Sequence, residues 1–383
     1  MKARILYIDE VSEIGGGGHS LNYLMRFIDR ERFEPLLISP PGPIFDLAMN
    51  TRVRTFPYTF VKRYVSIKIG KREVPINPYR LLYRLVDACR LIPIIRQETI
   101  DIVHTNNLDA HLVGWFLNKL FGIPVVWHIR IIWPSAFYKI PWPTRIIFVS
   151  QAVKEKAVGA ANADSRACVI YNGINPDDFV PPPGARTSVL EEFNLPSCPV
   201  VGIVGRLDPW KRHDLFLQAA AILTKQGADA SWIIVGSEIE NRSGTNHSQY
   251  LQNLTKELGI EDRVIFTGLR RDIPRLIEAF DVFISASDDD PNPRSVLEAM
   301  TMARPIVGTN SGGVPEMLEG GRAGLLVEKG DAQALARQVF RLLQDPALAA
   351  RLGQAARRRA LGIYSIQEHA RQVEHVYESI LRR

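Results

Sequence analysis

Along the whole chain, short runs of aliphatic and β-branched residues alternate with segments whose apolar positions recur every three or four residues. That alternation predicts parallel strands joined by crossover helices. In the first half the apolar runs are ARILYID (3–9), EPLLIS (34–39), DIVHTN (101–106), IPVVWHI (123–129), RIIFVS (145–150) and ACVIYN (167–172). A second series starts at PVVGIVG (199–205) and continues with SWIIVG (231–236), RVIFTG (263–268), DVFISA (281–286), PIVGT (305–309) and AGLLV (323–327). Between the series lies NPDDFVPPPGARTS, whose proline, glycine and polar residues predict a linker near residue 180. The expected fold class is α/β, with two doubly wound Rossmann-like domains at 1–180 and 181–364. In such sheets ligands bind beyond the carboxyl ends of the strands. The last stretch is helical by period, broken at Asp345-Pro346 and near Gly362, and its Arg357-Arg358-Arg359 cluster predicts a solvated helix face.

Length agrees with this division, since 383 residues exceed what one hydrophobic core usually supports. Cys89, Cys168 and Cys198 lack metal-ligand spacing and predict buried thiols in a reduced cytosol. The opening MKARILYIDE has too short an apolar run for a signal peptide, and no run of about 18 apolar residues predicts a membrane span. Charge divides the halves. Residues 1–180 carry 23 Lys and Arg against 16 Asp and Glu, or +7, and residues 181–383 carry 24 against 25, or −1. A basic first half suits an acidic partner such as an anionic membrane surface, or is simply a solvated face. Nucleic acid is not expected as a partner, because no helix-turn-helix, zinc or RNA-binding signature accompanies the charge.

Four segments carry candidate chemistry. Gly15 to Gly18 precede a helix with apolar positions at Leu21, Leu24 and Ile28. They form either a flexible turn or a loop that lets backbone N–H groups approach an anion. Arg206 and Lys211, in VGRLDPWKRHD, lie beyond a strand end, where they serve either in surface ion pairs or in holding a diphosphate. SDDDPNPRSVLEAM (287–300) places Asp288, Asp289 and Asp290 ahead of a helix containing Glu298. Three acids together are either a metal site or a polar loop whose working members are Asp290 and Glu298. Asn292 fits an N-cap and Pro293 a first helical residue, which would aim the N–H groups of Arg294, Ser295 and Val296 at a ligand. TNSGGVPE repeats the pattern of strand, Gly-Gly turn and helix, with Glu316.

The order and spacing of GGGGHSL, FVSQAVKEK, VIYNGINPDDF, VGRLDPWKRHD, FTGLRRDI and DPNPRSVLEAMTMARPIVGTNSGGVPE resemble the GT4-type retaining glycosyltransferases of GT-B fold over nearly the whole chain. The resemblance implies two domains facing across a cleft, the first holding an acceptor and the second a nucleoside-diphosphate sugar, with residues 365–383 forming a helix that packs back on the first. It matches Arg206 and Lys211 to the cations holding the donor diphosphate, Glu298 to the acid binding the ribose, and Asp290 to the acid contacting sugar hydroxyls. Gly17, Gly18, Arg294, Ser295, Val296 and Gly236 are expected on the donor side, and Arg130 and Asn107 on the acceptor side. Two positions depart from the pattern. Asp290 stands where the family has glutamate. The family's strand-end histidine falls on Arg130, counting from Pro124, while His128 lies two residues earlier on the same strand face. His128 either takes the catalytic place or is a core histidine, and Arg130 would then bind an anionic acceptor.

The reaction implied is glycosyl transfer to the hydroxyl of a glycan, a lipid-linked saccharide or a small molecule, with retention and with neither metal nor cofactor. An epimerase of the same fold and a catalytically silent sugar-nucleotide binder are the alternatives. A cytoplasmic location follows, with peripheral membrane attachment through the basic stretch that includes Lys62, Arg63, Lys68, Lys71, Arg72 and Arg80. The helix PYRLLYRLVDACRLIPII, with arginines beside an apolar face, would join it or else pack on its own sheet.

Overall fold

The structure is a computed structural model that describes residues 2–11, 15–61, 65–69, 72–76, 79–132, 142–159, 164–238 and 246–382. It divides into two compact units, Met1–Gly173 with Ile366–Arg383, and Ile174–Ser365. The division thus falls before NPDDFVPPPG rather than within it.

The first unit contains the strands β1 (Ala3–Ile8), β2 (Phe33–Ser39), β3 (Arg54–Pro57), β4 (Val65–Ile69), β5 (Arg72–Ile76), β6 (Ile102–Thr105), β7 (Val125–Ile129), β8 (Arg145–Phe148) and β9 (Ala167–Val169). Seven of them form a parallel sheet in the order β3-β2-β1-β6-β7-β8-β9, and β4 and β5 pair as an antiparallel hairpin. Its helices are α1 (Gly16–Phe27), α2 (Pro43–Asn50), α3 (Arg80–Gln97), α4 (Leu108–Phe121) and α5 (Gln151–Val158). The last helix of the chain (Ile366–Leu381) also belongs here. Alternate residues of β1 explain the layering, because successive side chains point to opposite faces. Ile5 and Tyr7 pack with Leu21 and Leu24 of α1 and with Val373 and Tyr377 of the last helix. Leu6 and Ile8 pack with Ala88 and Leu91 of α3 and with Ala110 and Val113 of α4.

The second unit has the parallel sheet β12-β11-β10-β13-β14-β15, with β10 (Val200–Val204), β11 (Ser231–Val235), β12 (Val264–Phe266), β13 (Val282–Ser285), β14 (Ile306–Thr309) and β15 (Leu325–Val327). Its helices are α6 (Ala185–Glu192), α7 (His213–Lys225), α8 (His247–Leu258), α9 (Ile273–Glu278), α10 (Arg294–Thr301), α11 (Val314–Met317), α12 (Ala332–Gln344) and α13 (Pro346–Leu361), so the last helix is α14. Both sheets are covered on two faces, which is why their strands read as continuous apolar runs.

Several expectations are corrected. The strands β3 to β5 were not anticipated: RTFP and the polar, basic hairpin lack an apolar run. The side chains of Lys62, Arg63, Lys68, Lys71 and Arg72 lie outside the described residues. Cys89 is exposed on α3 and Cys168 half-buried, leaving Cys198 as the buried thiol. Arg357 and Arg359 are more than a solvated face. They donate to the carbonyls of Thr301, Glu316 and Met317 at the ends of α10 and α11, where helices leave carbonyls unmatched. Among the described residues no helix is long and apolar enough to cross a membrane.

Candidate active site

In the second unit, the strand order reverses between β10 and β13, so the loops leaving those strands open the crevice where α/β sheets bind ligands. Three contacts clasp the two loops together. The Trp210 carbonyl accepts from the Asp288 N–H at 2.8 Å. Lys211 Nζ donates to Asp290 Oδ2 at 2.5 Å. Arg212 reaches Asp288 at 3.3 Å and Asp214 at 3.0 Å. The three consecutive aspartates are thus divided among three cations, because Asp289 lies 3.4 Å from Lys329 Nζ. Among the described residues no group of three His, Cys, Asp or Glu side chains is placed to hold a metal ion. Arg206, 36% exposed, pairs with Asp208 at 2.8 Å.

The helix α10 begins one residue later than expected. Pro293 has ψ 121°, an extended value, and its carbonyl already accepts from Leu297 N, so Pro293 is the N-cap in place of Asn292. A proline offers no capping side chain. The first turn, Arg294 to Val296, therefore keeps its N–H groups uncapped by the N-cap residue. Val296, Leu297 and Met300 are fully buried, as their spacing predicts. Glu298 is half-buried on the same helix, and burial pushes its carboxyl up to about 7, opposed by Arg294, whose Nε lies 3.9 Å away. A carboxyl held near neutrality readily accepts or donates hydrogen bonds.

Two glycines set the geometry of this crevice. Gly236 has φ +142°, and a Cβ there would fall 1.9 Å from the Gly205 carbonyl oxygen, so β10 and β11 end in direct backbone contact. Gly312, in TNSGGVPE, has φ +58°, and its Cβ would fall 2.2 Å from the Asp290 carbonyl oxygen. The neighbouring Gly313 N–H donates to that same oxygen at 2.8 Å. The Gly-Gly turn thereby fixes the backbone of Asp290.

In the first unit the strand order reverses between β1 and β6, and a different set of groups collects. Asp9, just past β1, accepts from Asn106 Nδ2 at 2.7 Å and from Asn107 Nδ2. Burial raises the Asp9 carboxyl above its ordinary value, and these hydrogen bonds oppose the shift. Arg130, just past β7, is buried. It donates through Nε to Asn106 Oδ1 and through a terminal nitrogen to Asn172 Oδ1, both at 2.5 Å. Its other terminal nitrogen lies 3.2 Å from His128 Nδ1. A Cβ on Gly17 would touch the Arg130 stem at 3.4 Å. Gly16 to Gly18 form the first turn of α1 itself, with Gly15 as an N-cap that has no capping side chain. Asn107 caps α4 by accepting from Ala110 N at 3.3 Å.

His128, the penultimate residue of β7, lies inside the core, 0% exposed. Its neighbours are His104 at 3.2 Å and the stacked ring of His369, with centroids 5.9 Å apart. Burial, with the nearby Arg130 charge, holds both His128 and His104 well below the ordinary imidazole value. Tyr377 of α14 closes the cluster, donating to Tyr7 at 3.1 Å and meeting His104 Nδ1 at 2.7 Å. Arg84 of α3 is likewise internal, 3.2 Å from Asp87 and donating to the Val61 carbonyl, rather than on a lipid-facing side.

Two family models cover most of the chain. One, for glycosyl transferases group 1, matches residues 192–359, and the other, for glycosyltransferase family 4, matches 14–178. The chain belongs to the GT4-type glycosyltransferases. It is 26% identical over 345 residues to N-acetyl-alpha-D-glucosaminyl L-malate synthase of Bacillus anthracis, covering 85% of this chain and 87% of that protein. It is 24% identical over 343 residues to the UDP-Gal:alpha-D-GlcNAc-diphosphoundecaprenol alpha-1,3-galactosyltransferase of Escherichia coli, covering 84% and 83%. Among solved structures it resembles HepE from Anabaena in complex with UDP-glucose, with a TM-score of 0.83, 22% identity and coverage of 98% and 99%. The fold is therefore GT-B.

Within this glycosyltransferase, Lys211, Asp290, Arg294, Ser295, Val296 and Glu298 gather around one switch point, and Gly17, Asn107 and Arg130 around the other. Asp9, Asn106 and Asn172 were missed. Asp9 carried a signal, an acid directly after the first strand, whereas the amides of Asn106 and Asn172 have no pattern that separates them from ordinary loop residues.

Proposed function

We propose that this glycosyltransferase moves a sugar from a nucleoside diphosphate to an acceptor hydroxyl with retention of configuration, using neither metal nor cofactor. The observation that carries this reading is the Lys211–Asp290 pair at the switch point, beside a helix start without a side-chain cap. The demanding step is departure of the diphosphate. A charge-assisted hydrogen bond contributes about 1.5–3 kcal/mol, against about 0.3–1 for a helix dipole. Lys211 and Arg206 therefore carry most of the leaving-group stabilisation, with the N–H groups of α10 adding to it. Asp290 orients sugar hydroxyls once the diphosphate takes over the ammonium, and Glu298 receives the ribose. Retention fits front-face attack, in which the donor phosphate takes the acceptor proton. The three separate ion pairs of Asp288, Asp289 and Asp290 support a role for these acids that needs no metal.

On the acceptor side the planar fork of Arg130 suits a carboxylate or phosphate. Exposed Tyr79, Leu81 and Leu82, next to Arg80, support peripheral attachment to an anionic membrane. Failure to sediment with anionic liposomes at low salt would remove that attachment.

A thermal-shift screen against UDP-, GDP- and ADP-sugars in excess EDTA tests the donor reading, since a ligand at 100 times its Kd stabilises by about 2.7 kcal/mol. The expected result is one base selected in EDTA, with turnover reduced at least tenfold in Arg206→Ala and Lys211→Ala. Activity abolished by EDTA and restored by Mg²⁺ would overturn metal independence. Conversion of the donor without any acceptor would indicate an epimerase, and tight binding without turnover a silent binder.

A further inference from the structure

Trp210 joins the two candidate diphosphate cations. Lys211 Nζ lies 4.3 Å from the centre of the Trp210 ring, and Asp290 Oδ2 accepts from the same ammonium at 2.5 Å. The indole Nε1–H donates to Asp208 Oδ2 at 3.2 Å, and that same oxygen meets the Arg206 guanidinium at 2.8 Å. Main-chain contacts tighten the turn Pro209–Lys211: the Asp208 carbonyl accepts from Lys211 N at 2.9 Å, and the Trp210 carbonyl from Asp288 N at 2.8 Å. An unbroken path of contacts thus runs Arg206–Asp208–Trp210–Lys211–Asp290.

We propose that Trp210 is a positioning residue for the donor diphosphate, holding the Lys211 ammonium with its ring face and linking it through Asp208 to Arg206. This rests on the donor-site reading of Lys211. A lysine ammonium is a point charge on a flexible four-carbon stem, so its usefulness depends on what orders it. The ring face and the carboxylate both attract the cation. When the donor arrives, its phosphate oxygens displace Asp290, while the ring still restrains the ammonium. Among side chains only tryptophan combines a large π face with an N–H placed to bond Asp208. Trp210 is also 38% exposed, so core packing alone does not account for it.

The test is calorimetric titration of the full-length chain with inorganic pyrophosphate and with UDP in EDTA, using Trp210→Ala, Trp210→Phe and Lys211→Ala. Pyrophosphate isolates the diphosphate, and UDP adds the nucleoside. Trp210→Ala is expected to weaken both ligands by a similar factor, about tenfold, with an unchanged melting temperature. Trp210→Phe, which keeps a ring face, should recover part of that loss. Wild-type affinity in Trp210→Ala, with Lys211→Ala impaired, overturns the positioning role and leaves the donor site standing. So does a Trp210→Phe variant as weak as Trp210→Ala. Wild-type affinity in Lys211→Ala overturns both. Should Trp210→Ala misfold, the Phe variant decides: pyrophosphate affinity between those of wild type and Lys211→Ala supports the role of Trp210, and affinity equal to either of them overturns it.

Discussion

The two sheets reverse strand order in the same manner, yet the groups gathered at each reversal differ in kind. In the second unit they are charged side chains on short loops, paired with one another: Arg206 with Asp208, Lys211 with Asp290, Arg212 with Asp288. In the first unit they are amides around one buried guanidinium, Asn106 and Asn172 on Arg130, backed by imidazoles kept neutral inside the core. A charged ligand can replace one member of such a pair, which suits a site that must bind and release a polyanion. A hydrogen-bond network around a buried guanidinium is costly to rearrange and suits fixed recognition. The same topology thus supports a site that yields and a site that selects.

Three substitutions would break or sharpen that contrast. The largest effect is expected from Gly312→Ala. Its Cβ would fall 2.2 Å from the Asp290 carbonyl at a φ of +58°, so Asp290 must move. A displacement of about an ångström costs on the order of a hundredfold in rate. Wild-type turnover in this variant would mean that the acidic loop adapts freely. Next is Arg130→Lys, which keeps the charge but loses the planar fork. The acceptor KM should rise about tenfold while slow hydrolysis of the donor in the absence of acceptor stays unchanged. Equal loss in both assays would place Arg130 in donor chemistry instead.

The smallest effect concerns pH and Glu298. Its folded value of about 7 exceeds the ordinary 4.5. Between those values the native state binds the extra proton, so stability falls as pH rises across the window. Glu298→Gln should therefore melt near wild type at pH 5 and a few degrees higher at pH 8, while binding the donor more weakly. A melting difference that does not vary with pH would count against the raised value. The buried histidines of the first unit have the opposite sign. His104, His111 and His128 are depressed below 6.5, with His111 near 3. There the unfolded chain binds the extra protons, so stability is present above pH 6.5 and lost in acid.

How far each region could be read from the sequence follows from the same contrast. The strands of the second sheet and the apolar stripe of α10 were legible because buried strands and amphipathic helices impose their period on the sequence. Lys211, Asp290 and Glu298 were legible as candidates because the order and spacing of VGRLDPWKRHD and DPNPRSVLEAM resemble the family's motifs. Their partners were not. Nothing in SDDDP distinguishes the aspartate that meets Lys211 from those that meet Arg212 and Lys329, since neighbouring residues on a loop have no fixed direction. The helix start at Arg294 rather than Pro293 was missed for a local reason, the extended ψ of Pro293. His128 stayed open between a catalytic place and the core because β7 is buried on both faces, so alternation does not mark an outward side.

By itself the sequence determined the two α/β units, the composition of their cores and the residue types at each strand end, because these depend on local period and on burial. Only the tertiary structure decided which aspartate holds Lys211, why Gly312 is needed beside Asp290, and that His128 lies in the core with His104, His369 and Tyr377. Those outcomes depend on segments far apart in the chain meeting at one point, and no local pattern encodes such a meeting.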